Sequence, residues 1–395
     1  MKPFEAIDGT VSDSLKNKTI VLAVTGSIAA VKTVELAREL IRNSARVIPV
    51  MSSSATEIIH PNALEYACGQ KPLTNISAQM EYLDLFGKNG NADLLLICPA
   101  TADVISKIAC AFSDDLISLM ALNALGSNKK ILIIPAMHES MISNKILQEN
   151  IAKLKKAGVV FLNPVNQENI AKLPEKEEIV LECERLLSDS FLKNKKVVIA
   201  SGPTEEDVDD LRVVTNRSSG KMGIELALQA YRLGAHVILI HRTHLQVQSI
   251  QQTSVRTPDE MEQALLHACK AADFLLMPAA IGDFDVKIAK QSGKISSHGK
   301  TVLELLPRGK IISQLRKKFP NLFILGFKAC SNRFEINFVC TEKLKKDKLN
   351  AVVGNVAKEM MGADQGTVWL FKNKGCAEIQ GTKRTLAEGI WNEIL

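Results

Sequence analysis

Val197-Val198-Ile199-Ala200-Ser201-Gly202-Pro203-Thr204 and, eleven positions further along the chain, Thr215-Asn216-Arg217-Ser218-Ser219-Gly220-Lys221-Met222-Gly223 decide the fold of the second half. The apolar run at 197–200 predicts a buried strand, and Gly-Pro-Thr predicts the turn after it. Apolar residues at helical spacing over 221–233 predict a helix. The order strand, turn, helix is that of a βα unit.

The polar start of this helix invites an anionic ligand. Its glycines let the backbone approach a phosphate, and the free N–H groups and dipole of the helix start supply positive potential. An ordinary glycine turn in a βα unit explains the glycines equally well. Asn216 within the turn favours the ligand site.

The composition predicts a two-domain protein that binds small molecules. With 395 residues and 46% apolar content, each half can bury its own core. The net charge of +6 is modest, and aromatic residues, at 5%, are too few for a base-stacking surface. We therefore expect phosphorylated small molecules as partners, and no nucleic acid.

Cysteine spacing and hydropathy point to a soluble cytoplasmic protein. The eight cysteines include no Cys-x-x-Cys pair, which fits a reducing compartment. No apolar run approaches the roughly 20 residues of a membrane helix. His241 and His244 lack a third ligand nearby, so we assign them to a surface loop and predict no histidine metal centre.

Short apolar strands alternate with amphipathic helices in both halves, which predicts parallel sheets covered on both faces. A polar exit at Ser188-Asp189-Ser190 predicts domains at 1–190 and 191–395. In the first half we predict strands at 20–24, 45–51, 94–97, 130–134 and 159–162, and helices at 29–42, 55–68, 102–110, 145–157 and 175–187. Further strands are predicted at 237–240, 274–277, 322–325 and 351–353.

Four polar loops follow predicted strands of the first half, at 25–29, 51–54, 99–103 and 135–141. Ligands of open parallel sheets bind at this edge. Each loop also has an ordinary explanation, as a turn or as a helix cap formed by Ser52, Thr101 or Asp103. Their common position favours one shared pocket.

These motifs together resemble one family. Thr-Gly-Ser-Ile-Ala at 25–29, Pro-Ala-Thr-Ala-Asp at 99–103 and Pro-Ala-Met at 135–137 resemble flavin-dependent cysteine decarboxylases. The two segments quoted first resemble phosphopantothenate–cysteine ligase. In this order, residues 18–395 resemble the bifunctional coenzyme A biosynthesis proteins. The resemblance implies an α/β fold of two consecutive three-layer Rossmann-like domains with mainly parallel sheets, the first of flavoprotein type and the second of ligase type.

The resemblance also implies a reaction for the second half. CTP activates the carboxylate of 4′-phosphopantothenate as an acyl-cytidylate, and the amine of cysteine then displaces CMP, with Mg²⁺ on the phosphates. Asn216 would stabilise the acyl-cytidylate, Arg212 would organise the substrate loop, and Lys294 would serve turnover. The implied nucleotide site comprises Pro278, Ala279, Asp283, Lys294, Gly309, Lys310, Ile311, Phe327 and Lys343. We also expect a homo-oligomer, with trimers of the first half and dimers of the second.

Two positions of the ligase half depart from the family pattern. Pro307-Arg308-Gly309-Lys310 replaces Lys-Asn-Pro-Asp, so two cations stand where relatives have an amide and a carboxylate. We expect these cations to serve the triphosphate. The second nucleotide-contacting lysine aligns with Asp347, which Lys346 and Lys348 flank, and a shift of one residue would restore the charge.

The first half departs more strongly. The resemblance places FMN at Gly26, Ser27, Ile28, Ser52, Thr101 and Met137. In the family, FMN oxidises the cysteinyl thiol, carbon dioxide leaves, the flavin returns the electrons, and a flap cysteine donates a proton. Here Tyr82 replaces the family histidine and His138 replaces the family asparagine, while the flap at 165–173 is short and contains no cysteine. We interpret Cys183, in the next helix, as a buried structural thiol.

Three hypotheses remain open. The chain is a complete bifunctional enzyme in which His138, Tyr82 or Asp84 replaces the missing groups. It is, alternatively, an active ligase on a flavin-fold scaffold that assists oligomerisation, while another protein decarboxylates. The third hypothesis is a non-catalytic flavin-fold binding protein, against which Asn216, Arg212 and Lys294 argue.

Overall fold

The computed structural model describes residues 3–167, 170–189, 191–242, 245–287, 295 and 302–395. Two of the residues discussed above, Lys294 and His244, lie outside these ranges. The chain divides into two compact units, Met1–Ser188 and Asp189–Leu395, and each is described by itself.

The first unit is built on a parallel sheet. Its strands are β1 (Thr19–Val24), β2 (Arg46–Met51), β3 (Leu94–Ala100), β4 (Lys130–Pro135), β5 (Met137–His138), β6 (Val160–Phe161), β7 (Val165–Gln167) and β8 (Ile170–Lys172). The described strands order as β2-β1-β3-β4-β6, and every neighbouring pair is parallel. A small antiparallel sheet, β5-β8-β7, stands apart from it.

Helices cover both faces of this sheet. They are α1 (Thr33–Arg42), α2 (Ser53–Ile58), α3 (Pro61–Cys68), α4 (Glu81–Phe86), α5 (Ala102–Ala109), α6 (Leu116–Gly126), α7 (Glu139–Ile142), α8 (Lys145–Lys156) and α9 (Lys176–Leu187). Side chains of β1 alternate between two cores: Ile20 and Leu22 join one, and Val21 joins the other. Burial on both faces explains why the strand is apolar throughout 20–24.

Two predicted helices differ from the structure. The single helix predicted over 29–42 is instead a 3₁₀ turn, Ile28–Lys32, followed by α1. The single helix predicted over 55–68 is wrong, because α2 ends at Ile58 and α3 begins at Pro61. His60 caps α3 by accepting a hydrogen bond from the Asn62 N–H at 3.2 Å. Proline lacks an N–H and disfavours helical conformation in the preceding residue, so it starts a helix rather than continuing one.

The second unit contains a mixed sheet. Its strands are β9 (Lys196–Ser201), β10 (Glu205–Asp207), β11 (Val213–Thr215), β12 (His236–His241), β13 (Gln251–Ser254), β14 (Phe274–Met277), β15 (Phe284–Lys287), β16 (Glu304–Pro307), β17 (Phe323–Cys330), β18 (Ala351–Val356), β19 (Gln365–Lys372) and β20 (Cys376–Thr382). The main sheet orders as β13-β12-β9-β14-β17-β18-β19-β20. Its pairs are parallel from β13 to β18 and antiparallel from there on. The predicted α/β fold with mainly parallel sheets is confirmed.

Helices of the second unit are α10 (Lys221–Arg232), α11 (Pro258–Ala268), α12 (Ile311–Lys318), α13 (Arg333–Lys346), α14 (Ala357–Met360) and α15 (Lys383–Ile394). A 3₁₀ turn, Cys269–Ala271, follows α11. The fully buried Trp391 fixes α15 against α10 by donating a hydrogen bond to the Leu226 carbonyl at 3.0 Å. This contact holds α15 beside the middle of α10.

The structure bears on two further predictions, the surface loop at His241 and the absence of a membrane helix. His241 ends β12 and is buried, so its assignment to a surface loop is wrong. The apolar run at 237–240 directly before it had indicated that burial. Among the residues described, no helix combines the length and hydropathy needed to cross a membrane.

Candidate active sites

The four polar loops of the first unit meet at the carboxyl edge of its sheet. Thr25 Oγ1 donates to the Pro99 carbonyl at 2.7 Å and accepts from the Thr101 N–H at 3.1 Å. Ser27 Oγ donates to the Ala136 carbonyl at 3.1 Å. The loops after β1, β3 and β4 are thereby joined into one surface. Thr25 is buried and acts as the link, a role that its position at the end of an apolar strand could have indicated.

The loop after β2 joins the same surface through a close approach. A Cβ at Gly26 would overlap the Cβ of Ser54, so only glycine fits there. Ser52 caps α2 by accepting from the Ala55 N–H at 3.2 Å, and Thr101 caps α5 by accepting from the Val104 N–H. The capping interpretation is therefore correct for both residues, and it coexists with their place on the shared surface.

The remaining predicted flavin residues differ in exposure. Met137 is buried below the loops, whereas 76% of Ile28 is exposed. Hydroxyl groups, helix starts and a glycine that allows close backbone approach are the features that suit a phosphate-bearing cofactor. The residues present therefore fit FMN.

The shortened flap forms a hairpin of β7 and β8. β8 pairs antiparallel with β5, so that His138 lies opposite Ile170 and Met137 opposite Ala171. Positions 168 and 169 lie outside the described residues. The hairpin thus attaches by its main chain to the Pro-Ala-Met loop.

The residues at the replaced decarboxylase positions lie on separate elements. Tyr82, on α4, is half-buried against the core formed with α6. His138 is exposed beside Glu139, Ser140 and Ser143, which line a shallow depression. Cys183 is fully buried in α9, and burial raises the pKa of its thiol well above the usual value. The predicted burial of this thiol is confirmed.

A cavity of about 710 Å³ opens in the second unit. It gathers predicted residues from five separate stretches of sequence, namely Asn216, Pro278, Ala279, Asp283, Gly309, Lys310, Ile311, Phe327 and Lys343. Adjacent parallel strands explain the grouping, because β9, β14, β17 and β18 end at the same edge of the sheet. The predicted Lys294 lies outside the described residues.

Hydrogen bonds join the loop after β9 to the loop after β14. The Ala280 N–H donates to the Gly202 carbonyl at 3.0 Å, and the Gly282 N–H donates to Thr204 Oγ1 at 2.9 Å. The Asn216 amide donates to the Ala280 carbonyl at 3.0 Å. Asn216 is thereby fixed at the cavity wall. Sequence reasoning missed the part played by the Thr204 hydroxyl.

The helix start at Gly220 packs directly on β9. Gly220 has a φ of 75°, and Ser201 Oγ donates to its carbonyl at 2.9 Å. A Cβ at Gly223 would overlap Ser201 Oγ and lie 2.5 Å from Ser201 Cβ. Close packing therefore requires these glycines, as the ordinary interpretation holds. The same helix start also lines the cavity, as the ligand interpretation expects.

Arg212 lies outside the cavity lining and serves a neighbouring loop. Its guanidinium pairs with Asp209 at 2.7 Å and donates to the Ile295 carbonyl at 3.3 Å. The Ile295 N–H donates back to Asp209 at 3.0 Å. Hydrogen bonds from the N–H groups of Leu211, Ile295 and Arg212 hold the pKa of Asp209 below its usual value. Arg212 and Asp209 therefore hold the main chain of Ile295 in place.

The two cations of the 307–310 turn have different surroundings. Arg308 is largely buried and pairs with Asp285 at 2.6 Å, with Asp259, and with Glu206 at 3.3 Å. Burial raises the pKa of Glu206 despite the guanidinium beside it. Since carboxylates already surround Arg308, it holds the turn in place. Both residues line the cavity, but Lys310 is the exposed one of the two.

The lysine-rich helix α13 gives the cavity a mixed charge. Lys343 pairs with the buried Asp347 at 2.9 Å, one helical turn later, and Ser313 Oγ lies 3.5 Å from the same carboxylate. Lys346 also lines the cavity. Lys346 thus places a positive charge one residue before position 347, with which the family's second nucleotide-contacting lysine aligns. Asp347 itself neutralises Lys343.

Two further lining residues escaped sequence reasoning. Asn355 lies near the end of β18, where an apolar strand followed by a polar residue gave the same signal that identified the loops of the first unit. Lys383 begins α15 and is 8% exposed. Nothing in the local sequence distinguishes it from a surface lysine.

Each unit matches a known protein family. Residues 192–395 match the family described as "DNA/pantothenate metabolism flavoprotein C-terminal domain", and residues 8–188 match the family described as "Flavoprotein". Within the described residues, no group of three His, Cys, Asp or Glu side chains is arranged to hold a metal ion.

Several relatives align with nearly the whole chain. The coenzyme A biosynthesis bifunctional protein CoaBC of Thermococcus kodakarensis is 42% identical over 98% of this chain and 97% of its own. The protein of that name from Methanocaldococcus jannaschii is 34% identical over 100% and 97%. A crystal structure of the C-terminal domain of a CoaBC protein covers 52% of this chain and 96% of its own, at 27% identity and a TM-score of 0.44.

Proposed function

We propose, from the premise that this chain belongs to the family of CoaBC coenzyme A biosynthesis bifunctional proteins, that its second unit is a CTP-dependent phosphopantothenate–cysteine ligase. The first unit is the flavin-binding decarboxylase domain of the same pathway, and we place the division between the two near residue 190. One observation carries the ligase assignment. The cavity of the second unit is lined together by Asn216, Asp283, Phe327 and Lys343.

The ligase reaction proceeds in two displacements. A carboxylate oxygen of 4′-phosphopantothenate attacks the α-phosphorus of CTP and pyrophosphate leaves. The amine of cysteine then attacks the acyl carbon, CMP leaves with the bonding electron pair, and the amine loses a proton. Charge builds up on phosphoryl and acyl oxygens in both steps, so fixed donors lower the barrier. Asn216, held by Ala280 at the cavity wall, supplies such a polar group without needing to reorganise.

Nucleotide binding is divided among the cavity walls. Phe327 offers a ring for the cytosine, and Lys310 and Lys346 offer positive charge for the phosphates. Mg²⁺ bound to nucleotides takes one or two carboxylates together with phosphate oxygens and water, so it needs no all-protein cage. Asp283 lines the cavity and is the carboxylate that we assign to it.

In the first unit, we assign FMN to Gly26, Ser27, Ile28, Ser52, Thr101 and Met137. When bound, FMN supplies the oxidation of the cysteinyl thiol that makes loss of carbon dioxide possible. Thr25 holds the loops together, and the β7–β8 hairpin adjoins the Met137–His138 strand. This pairing favours decarboxylation as a second activity, with His138, Tyr82 or Asp84 in place of the missing groups.

Oligomerisation is also part of the proposal. The hairpin of β10 and β11 exposes Leu211, Val213 and Val214 to solvent. Adjacent exposed apolar side chains are typical of protein interfaces. We expect a homo-oligomer, which light scattering coupled to size-exclusion chromatography would detect, whereas a monomer would contradict this expectation.

Pyrophosphate release tests the ligase assignment. Purified protein is given CTP, Mg²⁺ and 4′-phosphopantothenate, with ATP replacing CTP in a parallel reaction. Release that depends on 4′-phosphopantothenate supports the assignment. No release with either nucleotide would favour the non-catalytic alternative. Flavin absorbance without conversion of phosphopantothenoylcysteine would favour the alternative in which the first unit is a scaffold.

A further inference from the structure

Lys383 places a buried ammonium group in the wall of the ligase cavity. Within the part of the chain that the structure describes, its ammonium group contacts only the Met360 carbonyl at 3.4 Å and the Met360 sulfur at 3.8 Å. Among the described residues, no carboxylate lies within ion-pair distance of it. An ammonium ion has three donors, so at least one of them remains for a ligand.

Burial makes this arrangement unfavourable in the absence of a ligand. Desolvation, assisted by the charge of Lys221, lowers the pKa of Lys383, while Asp364 acts in the opposite direction. An unpaired buried charge destabilises a folded protein. A ligand that brings the missing negative charge removes this cost.

The start of α10 stands beside the same wall. The Lys383 N–H donates to the Asp364 carbonyl at 3.0 Å, and Lys221 pairs with the Asp364 carboxylate at 2.5 Å. Ser219, Gly220 and Lys221 line the cavity together with Lys383. A helix start presents unpaired N–H groups and positive potential. Two independent features, a helix start and a buried ammonium, therefore face one volume.

We propose that Lys383 binds a phosphoryl group of a ligand in this cavity, together with the N-terminus of α10. The inference rests on the proposed function, which makes the ligands of the cavity phosphorylated. Two ligands bring this chemistry, the nucleotide through its triphosphate and the acyl substrate through its 4′-phosphate. The Lys383 side chain serves as a point charge on the phosphoryl oxygens, and no covalent step is assigned to it.

Calorimetric titration of the full chain with inorganic tripolyphosphate tests the site directly. Lys383→Met should weaken binding about 10- to 100-fold, the usual effect of losing one charge-assisted hydrogen bond. Lys374→Met is the matched control, since Lys374 is exposed and outside the cavity lining. It should bind as the wild type does.

Two further pairs of titrations identify the source of the phosphate. CTP is compared with cytidine, and 4′-phosphopantothenate with pantothenate, for the wild type and Lys383→Met. The phosphorylated ligand whose affinity depends on Lys383 is the one that the residue contacts. Wild-type affinity of Lys383→Met for tripolyphosphate and for both phosphorylated ligands would overturn the proposal, as would failure of the wild-type chain to bind any of them.

Thermal unfolding separates binding from a structural role. Methionine fits the buried position without a charge, so Lys383→Met should melt at the same temperature as the wild type or higher. A structural lysine would lose stability and binding together, which contradicts the proposal. If Lys383→Met does not fold, Lys383→Gln, which keeps a donor for the Met360 carbonyl, gives the same comparison. Absence of ligase activity alongside Lys383-dependent binding would refute the proposed function and leave this site standing.

Discussion

The side-chain amide of Asn216 lies 3.0 Å from the carbonyl oxygen of Ala280, to which it donates a hydrogen bond. This contact joins the segment before α10 to the loop after β14. Because Asn216 is exposed at the cavity wall, its replacement should affect catalysis far more than folding. Asn216→Ala should reduce kcat for pyrophosphate release about 100- to 1,000-fold, as loss of a fixed polar group at a reacting centre does. Asn373→Ala, at an exposed turn, is the control and should retain full activity.

Gly223→Ala should destabilise the second unit. The new methyl group would lie 2.5 Å from Ser201 Cβ and 3.1 Å from Ser201 Cα, and neither atom can rotate away. Overpacking of this kind costs about 1–3 kcal/mol. Chemical denaturation monitored by circular dichroism measures the loss. Gly309→Ala, with open space around the added methyl group, should leave stability unchanged. Equal stability of the two variants would contradict the packing argument.

Asp347→Asn should increase affinity for CTP. The buried carboxylate neutralises Lys343 at 2.9 Å, and its removal leaves that ammonium free for the nucleotide. One charge at this range changes KM for CTP about 2- to 10-fold, and here KM should fall. The effect should shrink as salt increases. Glu388→Gln removes an acidic charge outside the cavity lining and serves as the control. A rise in KM would mean that Asp347 contacts the nucleotide itself.

Thr25→Val should loosen the flavin surface. The substitution leaves the Pro99 carbonyl without its hydroxyl donor and the Thr101 N–H without its acceptor. Each unpaired buried group costs about 1–3 kcal/mol. Flavin absorbance per chain after purification and the melting temperature should both decrease. Thr10→Val, at an exposed hydroxyl, should change neither quantity. Retention of flavin and stability by Thr25→Val would refute the linking role.

Asp209→Asn should remove a pH-dependent contribution to stability. The folded-state pKa of Asp209 lies below its usual value of 3.8, because the ionised form accepts hydrogen bonds from the N–H groups of Leu211, Ile295 and Arg212. The contribution is therefore present above pH 3.8 and is lost as the pH falls through the lower folded value. Wild type should melt above Asp209→Asn at neutral pH, and the two should converge in acid. Asp210→Asn should follow the wild type, and a constant difference for Asp209→Asn would contradict the argument.

The parallel core of both units was predictable because strands buried on both faces are continuous apolar runs in the sequence. β1, with core contacts on both faces, is the clearest case. The break between α2 and α3 was also visible, since Pro61 cannot continue a helix. The hairpin β19–β20 was missed. Exposure alternates along β20, which gives a weaker signal, and the place of β19 in the sheet depends on its pairing with β18.

Within the candidate sites, the sequence predicted which residues line the cavity. It predicted less well which of these residues form ion pairs. The i, i+4 spacing of Lys343 and Asp347 on a helix was readable, and the pair forms as that spacing predicts. The carboxylates around Arg308 come from three separate segments and depend on the tertiary fold. The burial of Lys383 follows from packing of α15, which no local pattern reveals.

The most direct test of the ligase assignment is one incubation of the full chain with 4′-phosphopantothenate, cysteine, CTP and Mg²⁺, followed by mass spectrometry. We expect phosphopantothenoylcysteine, or its decarboxylated product, to form together with an equal amount of CMP. The Asn216→Ala variant, run beside the wild type, should yield little of either. Unchanged CTP and no cysteine adduct from the wild-type chain would contradict the account.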